Sequence, residues 1–537
     1  MEYSRRVGEA AGPTLPQAMQ MAARNRQSEV VKPRLGVGAN MLRRLVVVAL
    51  AVGSLVPATG AAAQTTATTL VVDRDGLQCA DADYASIQSA VDAAAPGDVI
   101  RVCPDLYTET VVIDKPLALQ ADPDAVEGID CFQPTLAELP ADQQAIVDPA
   151  GDDFSIAFEL EADNVDLAGF VVQGATVGID ASDRFSGYRL HHNLIRSNTL
   201  FGVDFGSAGT RESRVDHNCL RDNGWAVASE LDDDSLWKPI GGGPERDESN
   251  ARDLINARID HNSTFRHVSY GGGAMQITGP GRRIGVTIDH NLLREDLGGI
   301  LLQNATDSAI TGNDVIDSRG NAIVIGGGTD GLVVQSNRVR NAGLLGIRFI
   351  DRGFLDSFPI PNRGVVITQN EVTGSGFGIH ASAGALADSQ ISENTSSGNR
   401  SGIFLFANST ANQIINNTTI GNRESGINVG SGTGNVVRGN TIIGNGMSGI
   451  VLGPGSTGNE VSYNVSNDNG RHGILAAPGA TGNRFEHNSM HGNGSVDPAL
   501  FFDARDLNPL LNGTLQNVWA GNECERDFPA GMICGVG

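Results

Sequence analysis

The sequence has few aromatic residues, few cysteines and no motif of the common nucleotide or zinc sites, and each shortage excludes a class of protein. Aromatic residues make up 5% of 537 positions, and only six residues are cysteine. No CxxC pair or Cys/His cluster has zinc-site spacing, and neither a Gly-rich phosphate loop with Lys nor a nucleophile elbow is present. After residue 63 no apolar stretch is long enough to span a membrane. These absences argue against zinc fingers, P-loop enzymes and integral membrane proteins.

The N-terminal residues predict export. Residues 41–63 combine a basic start, an apolar run and an Ala-x-Ala end before Gln64, as a secretory signal peptide does. Residues 1–40 carry six Arg or Lys, which a signal peptide would not normally tolerate in front of it. We therefore expect Met41 to be the true start, with residues 1–40 an extension from a start codon assigned too early. The alternative is a genuine basic leader. We expect the mature chain to be secreted or held in the cell envelope.

The charge balance limits the partners. Without residues 1–63 the chain keeps 30 basic and 59 acidic residues. A surface this acidic disfavours nucleic acid and anionic membranes. It also repels a polyanionic glycan, unless bound cations or a local basic groove offset the repulsion.

The cysteines suggest a set of disulfides. All six lie beyond residue 63, and an even number in an exported chain favours pairing. Proximity favours Cys79 with Cys103 and Cys524 with Cys534, which leaves Cys131 with Cys219.

A short motif that ends in Asn recurs along the chain. IDHN ends at Asn262 and again at Asn291, and related tetrapeptides such as FEHN end at Asn488. Outside a few longer gaps the aligned asparagines follow at steps of 22 to 25 residues: Asn193, Asn218, Asn262, Asn291, Asn313, Asn337, Asn370, Asn394, Asn417, Asn440, Asn464 and Asn488.

Each repeat predicts three short strands. It reads apolar-x-apolar-x-x-Asn, then a second apolar stretch, then Gly-Ile as in GILLQ and GIHAS. No helical spacing of apolar residues lies between these segments, so the pattern indicates a solenoid whose coils stack strand on strand. We expect the Asn to sit at a sharp bend in the left-handed conformation, with its amide bonded to the asparagines of the coils above and below.

These motifs resemble the right-handed parallel β-helix proteins of the pectin-lyase-like superfamily, in particular those built of short Asn-containing repeats. Residues 84–118 resemble the first segment of many secreted members, with a capping helix at about 84–95. The resemblance implies an all-β fold: a single-stranded right-handed parallel β-helix solenoid of about 14 coils with an N-terminal capping helix. We predict an N-terminal cap and first strands over 64–120, the β-helix over 121–500, and a C-terminal cap with Cys524 and Cys534 over 501–537.

One register of the repeat collects the candidate site residues. The outward position on the strand after Gly-Ile gives Asp204, Ala228, Gln276, Leu301, Val324, Arg348, His380, Phe404, Asn428, Val451 and Leu475. In enzymes that the chain resembles, the glycan commonly lies along this strand face. Abstracting a proton beside a uronic acid carboxylate needs a base and a cation, and Arg348 with His380 are the candidate catalytic pair. The candidate substrate-binding residues are Asp204, Gln276, Gln303, Asp351, Trp225, Trp237, Tyr270 and Phe354.

Two interruptions of the repeat predict a trough beside this face. They span about 224–257 and 351–362, follow the same strand four coils apart, and should leave one corner roughly 19 Å from each other. Several aromatic residues gather there: Trp225, Trp237, Tyr270, Phe349, Phe354 and Phe358. Exposed rings would suit sugar stacking, but the rings could equally only pack the loops down.

Two groups are candidate metal ligands. Asp232, Asp233 and Asp234 could hold Ca²⁺, although the spacing of a calcium loop with its central Gly is missing, and a solvated loop is the alternative. The histidines of the repeat, His192, His217, His261, His290 and His487, share one register. They could bind a metal ion or form a solvated ladder.

The sequence therefore predicts an exported β-helix that binds or processes a polysaccharide or cell-surface glycan. If it is an enzyme, a lyase-like or epimerase-like reaction is favoured over hydrolysis, because Asp204, Glu230 and Asp351 are too scattered to form a carboxylate pair. A non-catalytic surface or envelope protein, acting as a spacer or glycan-binding platform, is the main alternative. A periplasmic factor in metal-cofactor maturation is a lesser one.

Overall fold

The computed structural model describes residues 67–121, 129–133, 141–149, 154–229, 252–268, 273–279, 281–351 and 360–535. All of them lie in the compact unit Thr65–Gly537. They form a right-handed parallel β-helix, as the repeat predicts. The predicted signal peptide at 41–63 and the extension at 1–40 lie outside the described residues.

Each coil supplies one strand to each of three parallel sheets. Sheet 1, which contains the strand before the motif Asn, comprises Thr69–Val72, Val99–Val102, Ala118–Gln120, Asp166–Ala168, Arg189–His191, Ser213–Asp216, Leu254–Asp260, Arg283–Asp289, Ala305–Thr306, Ala309–Thr311, Val333–Gln335, Val366–Thr368, Gln390–Ser392, Gln413–Ile415, Val436–Arg438, Glu460–Ser462, Arg484–Glu486 and Val518–Ala520. Sheet 2, which follows the Asn, comprises Asp105–Tyr107, Ala145–Val147, Val171–Gln173, Leu194–Arg196, Cys219–Arg221, Ser263–Phe265, Leu292–Arg294, Asp314–Ile316, Arg338–Arg340, Glu371–Thr373, Thr395–Ser397, Thr418–Ile420, Thr441–Ile443, Val465–Asn467, Ser489–Met490 and Glu523–Cys524.

Sheet 3 follows the Gly-Ile bend of each coil. It comprises Val111–Ile113, Ile156–Leu160, Val177–Ala181, Phe201–Phe205, Trp225–Ser229, Met275–Ile277, Ile300–Leu302, Ile323–Ile325, Leu345–Phe349, Phe377–Ala381, Ser401–Leu405, Ile427–Val429, Ile450–Leu452, Ile474–Ala476, Ala504–Asp506 and Asp527–Phe528. A small separate pair joins Asn362–Arg363 to Leu386–Ala387. Along each strand the side chains alternate, as in Ile323 and Ile325, which are fully buried on either side of the partly exposed Val324.

The coils are more numerous than the repeat predicts. Sheets 2 and 3 each contain sixteen strands in the part of the chain that the structure describes, against an expected 14 coils. The first three strands of sheet 2 begin at Asp105, Ala145 and Val171, and no Asn precedes them. The repeat pattern therefore misses the earliest coils, which pack apolar side chains without the amide motif.

The predicted capping helix is present as Ile87–Ala93. Ser86 is its N-cap, with the side chain accepting the N–H of Ser89, and Glu109 accepts the N–H groups of Ile87 and Gln88. Ala90 and Val91 are fully buried, and the helix contacts the first strands of sheets 1 and 3. The helix is shorter than the predicted 84–95, ending before a Pro that follows Ala95 and disfavours helical backbone there.

The motif asparagines form a continuous buried ladder. Each Nδ2 donates to the Oδ1 of the Asn one coil on at 2.9–3.1 Å, and that Oδ1 also accepts the backbone N–H of the Asn before it. The ladder runs from Asn193 through every aligned Asn to Asn488 and ends on Asn522, and no member is more than 2% exposed. Every coil in this stretch is thus bound to the next by a side-chain amide as well as by strand pairing.

The predicted backbone conformation of the Asn is wrong. The left-handed conformation belongs to the residue before it, which has φ between 52° and 65° in every coil of the ladder, as in His290 and Gly439. The bend must precede the Asn because the amide has to turn inward to meet the next coil. Residues of many types occupy the bend, and Gly is the one that adopts it without steric cost.

All three predicted disulfides are present: Cys79–Cys103, Cys131–Cys219 and Cys524–Cys534. Disulfides of this kind persist in oxidising compartments. No helix in the described residues is long and apolar enough to cross a membrane.

The ladder predicts that two adjacent asparagines contribute differently to the free energy of unfolding. Inward-facing Asn417 donates to Asn440 and to the carbonyl of Ile391, so Asn417→Ala leaves buried backbone groups unpaired and should cost about 2–3 kcal/mol. Asn416 occupies the left-handed bend, where Gly stands in other coils, so Asn416→Gly should change stability by less than about 0.5 kcal/mol. The urea midpoint of the disulfide-bonded protein measures both effects. Equal destabilisation by the two changes would contradict this role of the ladder.

Candidate functional site

The outward register on sheet 3 is continuous, as the repeat predicts. From Asp204 to Leu475 every candidate pairs with the next as a direct neighbour on adjacent parallel strands. Neighbouring strands lie about 4.8 Å apart, so the register forms a straight row of side chains along the sheet. The row is buried at its start and partly exposed from Val324 onward.

Arg348 and His380 are brought together on this row. They are direct partners on the strands Leu345–Phe349 and Phe377–Ala381. Among the described residues neither the Nε of Arg348 nor the Nδ1 of His380 has a hydrogen-bond partner, although both atoms are shielded from solvent. Both atoms are therefore buried polar groups that no described residue pairs.

Aromatic rings surround His380 on the side of the later coils. Its imidazole lies 5.9 Å from the ring of Phe404, nearly parallel at 17°, and 5.1 Å from the ring of Phe377. Phe404 in turn contacts Phe406, whose residue surface is 50% exposed. From the sequence, Phe404 is only an apolar residue on the outward row. In the structure it packs beside His380, and we call the cluster of Arg348, His380, Phe377, Phe404 and Phe406 the Arg348–His380 site.

The environment of His380 fixes its protonation. Burial, followed by the positive charge of Arg348, lowers the pKa of His380 to about 4. The imidazole is therefore neutral at physiological pH and can accept a proton, while Arg348 beside it stays cationic.

The early polar candidates lie elsewhere on the row and are buried. Asp204 is 1% exposed, and its Oδ2 lies 3.6 Å from Nη1 of the buried Arg252. The same guanidinium donates to Asp180 at 2.5 Å, and Asp180 and Asp204 are strand partners. Arg252 thus neutralises two stacked carboxylates, and the structure assigns Asp204 to a buried ion pair rather than to an open surface.

The remaining described candidates for substrate binding also differ in exposure and in hydrogen-bond partners. Gln276 is 5% exposed, and its Oε1 accepts the indole N–H of Trp225 at 3.1 Å. Gln303 is 6% exposed, and its Oε1 has no partner among the described residues. Asp351 is partly exposed and follows directly on the strand that carries Arg348. Of the four, Asp351 is the one nearest in sequence to the site.

One predicted aromatic residue lies in the core, and several other candidates lie outside the described residues. Phe349 was expected in the trough with the other rings, and this is wrong: it is fully buried in the core, because its neighbour Arg348 faces outward and side chains alternate along a strand. Other candidates lie outside the described residues: Glu230, Asp232, Asp233, Asp234, Trp237, Tyr270, Phe354 and Phe358. The Ca²⁺ ligands and most of the aromatic trough therefore remain predictions.

The described carboxylates do not make a pair at the Arg348–His380 site. Within two strands on either side, the row carries Leu301, Val324, Phe404 and Asn428. Among the described residues one group of at least three His, Cys, Asp or Glu side chains, Asp73, Asp75 and Asp105, brings its ligand atoms within 4.8 Å of one another. That group lies in the first coil. The geometry at Arg348 and His380 suits proton transfer beside a cation.

The histidines of the motif lie at a different position of each coil from the Arg348–His380 site. They occupy the left-handed bend between sheets 1 and 2, so they are separate from the row that carries Arg348 and His380 on sheet 3.

A family model described as right handed beta helix region matches residues 247–385 and 358–490. The matched segments include Arg348, His380 and the ladder from Asn262 to Asn488. They agree with the parallel sheets of the structure. No curated protein matches the chain by sequence.

Several solved structures are similar to the chain at low identity. The periplasmic alginate epimerase AlgG is 16% identical over 68% of this chain and 76% of its own, with a TM-score of 0.36. An alginate lyase from Paenibacillus sp. strain FPU-7 is 12% identical over 57% of this chain and 91% of its own, with a TM-score of 0.35. A mannuronic acid specific polysaccharide family 6 lyase from human gut microbiota is 15% identical over 61% of this chain and 76% of its own, with a TM-score of 0.39.

The pKa of His380 provides a test of the site geometry. Arg348→Gln removes a neighbouring positive charge, so the pKa of His380 should rise from about 4 towards its ordinary value. The shift of the His380 ring protons against pH in ¹³C-histidine-labelled protein measures this, with His380→Asn to assign the signal. Arg438→Gln, which removes an exposed arginine on sheet 1, should leave the titration unchanged. An identical midpoint in wild type and Arg348→Gln would show that the two side chains do not interact.

Proposed function

The chain is a right-handed parallel β-helix protein, and on that premise we propose that it binds an acidic polysaccharide along sheet 3 and acts on it at the Arg348–His380 site. The observation that carries the proposal is the pairing of a neutral, partly buried imidazole with a guanidinium on the adjacent strand. The reaction class is abstraction of the proton beside a uronate carboxylate, as in a lyase or an epimerase. Disulfides support an exported protein, secreted or in the envelope.

The row of side chains supplies an extended binding surface. A glycan laid parallel to the helix axis would cross one strand about every 4.8 Å, so a row of several coils contacts several sugars. Phe377, Phe404 and the half-exposed Phe406 offer apolar ring surface on one side of His380. Sugar rings stack on such faces. Arg348 provides the positive charge that an acidic polymer requires against the negative charge of the whole chain.

The chemistry assigns a role to each member of the pair. The neutral imidazole of His380 accepts the proton from the carbon next to the uronate carboxylate. The guanidinium of Arg348 stabilises the negative charge that develops on that carboxylate, and low exposure strengthens its effect. In elimination the bond to the glycosidic oxygen breaks, that oxygen takes a proton from water, and an unsaturated sugar remains. In epimerisation water delivers a proton to the opposite face of the same carbon.

A non-catalytic glycan-binding platform is the second candidate. An imidazole with a pKa of about 4 is a weak base, and no carboxylate lies within two strands of it on the row. The same aromatic and basic surface would then hold a polymer without changing it, and the β-helix would serve as an envelope spacer.

The test is a product assay of the disulfide-bonded protein on alginate, polygalacturonate and neutral glycans, with and without Ca²⁺. Ultraviolet absorbance reports the unsaturated product, and proton NMR of the polymer reports epimerisation. We expect His380→Ala to lower kcat by 10²–10⁴-fold and Arg348→Ala by 10²–10³-fold. The matched controls His487→Ala and Arg438→Ala, which alter the same residue types on other faces, should retain activity.

The dependence of the activity on pH, measured towards acidic pH, is a second test. Because His380 acts in its neutral form, activity should stay level above its pKa of about 4 and fall as the pH drops through that value. Turnover that survives both Ala changes discards the site but keeps an enzyme. Glycan binding that depends on Arg348 and Phe404, with no turnover of any polymer, establishes the platform.

A further inference from the structure

Four histidines form a stacked column at the left-handed bend of consecutive coils. The ring centroids of His192, His217, His261 and His290 are 5.0–5.2 Å apart, and the rings are parallel within 8°. The side chains of His217, His261 and His290 are 45%, 44% and 59% exposed. The column thus presents a row of accessible imidazole edges.

A buried carboxylate orients each of three imidazoles. The Nδ1 atoms of His217, His261 and His290 lie 2.9, 2.7 and 2.8 Å from the Oδ2 of the preceding Asp in each motif. Those aspartates are at most 2% exposed. Because an ionised carboxylate only accepts hydrogen bonds, Nδ1 is the donor in each pair, and Nε2 is the ring nitrogen left for a ligand on the side away from the Asp.

Arginines donate hydrogen bonds to two of these carboxylates. Arg214 donates to both oxygens of Asp260 at 2.7 and 2.6 Å, and Arg258 does the same for Asp289 at 2.9 and 2.7 Å. The second coordination shell that fixes an imidazole for metal binding is therefore already assembled.

A cavity lies against the first part of the column. Its volume is about 470 Å³, and its lining includes His192, His217, His261, Ser263 and Asp130. The segment 129–133 forms one wall, and the disulfide Cys131–Cys219 fixes that wall to the strand that follows His217. The cavity joins several imidazoles to a carboxylate that has no part in the site on sheet 3.

We propose that this cavity binds a divalent transition-metal ion of the Zn²⁺, Ni²⁺ or Cu²⁺ class through the Nε2 atoms of His217 and His261. Imidazole nitrogen oriented by a carboxylate is the donor that these ions prefer, whereas Ca²⁺ and Mg²⁺ take oxygen donors. Two nitrogens on one ion, each about 2.0–2.1 Å from it, must approach more closely than the spacing of the rings. Binding one ion therefore requires the two partly exposed rings, which are parallel within 2°, to turn toward each other.

The test is titration of the tag-free, disulfide-bonded protein with Zn²⁺, followed by calorimetry. The double variant His217→Ala/His261→Ala should bind Zn²⁺ at least tenfold more weakly than the wild type. In Cu²⁺-loaded wild type, electron paramagnetic resonance should show coupling to two imidazole nitrogens, and this coupling should be lost in the double variant.

His487→Ala is the matched control, because His487 occupies the same bend and stacks on Tyr463 but is far along the chain from the cavity. Its Zn²⁺ affinity should equal that of the wild type. Circular dichroism and the urea midpoint confirm that each variant is folded. The proposal is overturned if the double variant binds Zn²⁺ as tightly as the wild type, or if His487→Ala weakens binding to the same extent. Loss of activity at Arg348 and His380 has no bearing on this outcome, since the two sites are on different faces.

Discussion

The hydrogen bond from one motif Asn to the next is the interaction on which most of this β-helix depends. A single coil of three short strands has no partner for its backbone groups and too little apolar surface to fold alone. The amide ladder joins thirteen consecutive coils through buried donors and acceptors, each of which would be costly to leave unpaired. It also fixes the register, because a shift of one residue would place a different side chain in the ladder and turn the apolar face outward.

A fixed register turns a sequence repeat into straight rows of side chains. One row lies on sheet 3 and carries Arg348, His380 and Phe404 as successive neighbours. Another lies at the left-handed bend and carries the stacked histidines. Neither row is needed to hold the coils together, and residues of many types occupy the same positions in other coils. These rows are the places where substitution can add chemistry without disturbing the ladder.

The two rows differ in how charge is arranged. On sheet 3 the imidazole of His380 is shielded, lacks a carboxylate partner and sits beside a cation, so its pKa is low. At the bend His217, His261 and His290 each have a buried aspartate behind the ring, and arginines donate to two of these aspartates, so the hydrogen bonds orient the rings. The IDHN motif therefore combines two roles. The Asn builds the fold, and the Asp and His form an oriented donor.

The repeat predicted the β-helix and the order of residues on the sheet 3 row, because both depend on the fixed length of a coil. The capping helix followed from the resemblance of residues 84–118 to the first segment of secreted β-helix proteins, and the disulfides from the even number of cysteines and their proximity in the chain. Alternation along the strand could also have placed Phe349 in the core, and this signal was missed. The sequence could not show that Arg252 crosses 48 residues to neutralise Asp204, or that the segment 129–133 closes a cavity beside His217. Those contacts join parts of the chain with no shared period. Repetition determined which residues align, and the packing of irregular segments against the coils decided which of them are buried and which can meet a ligand.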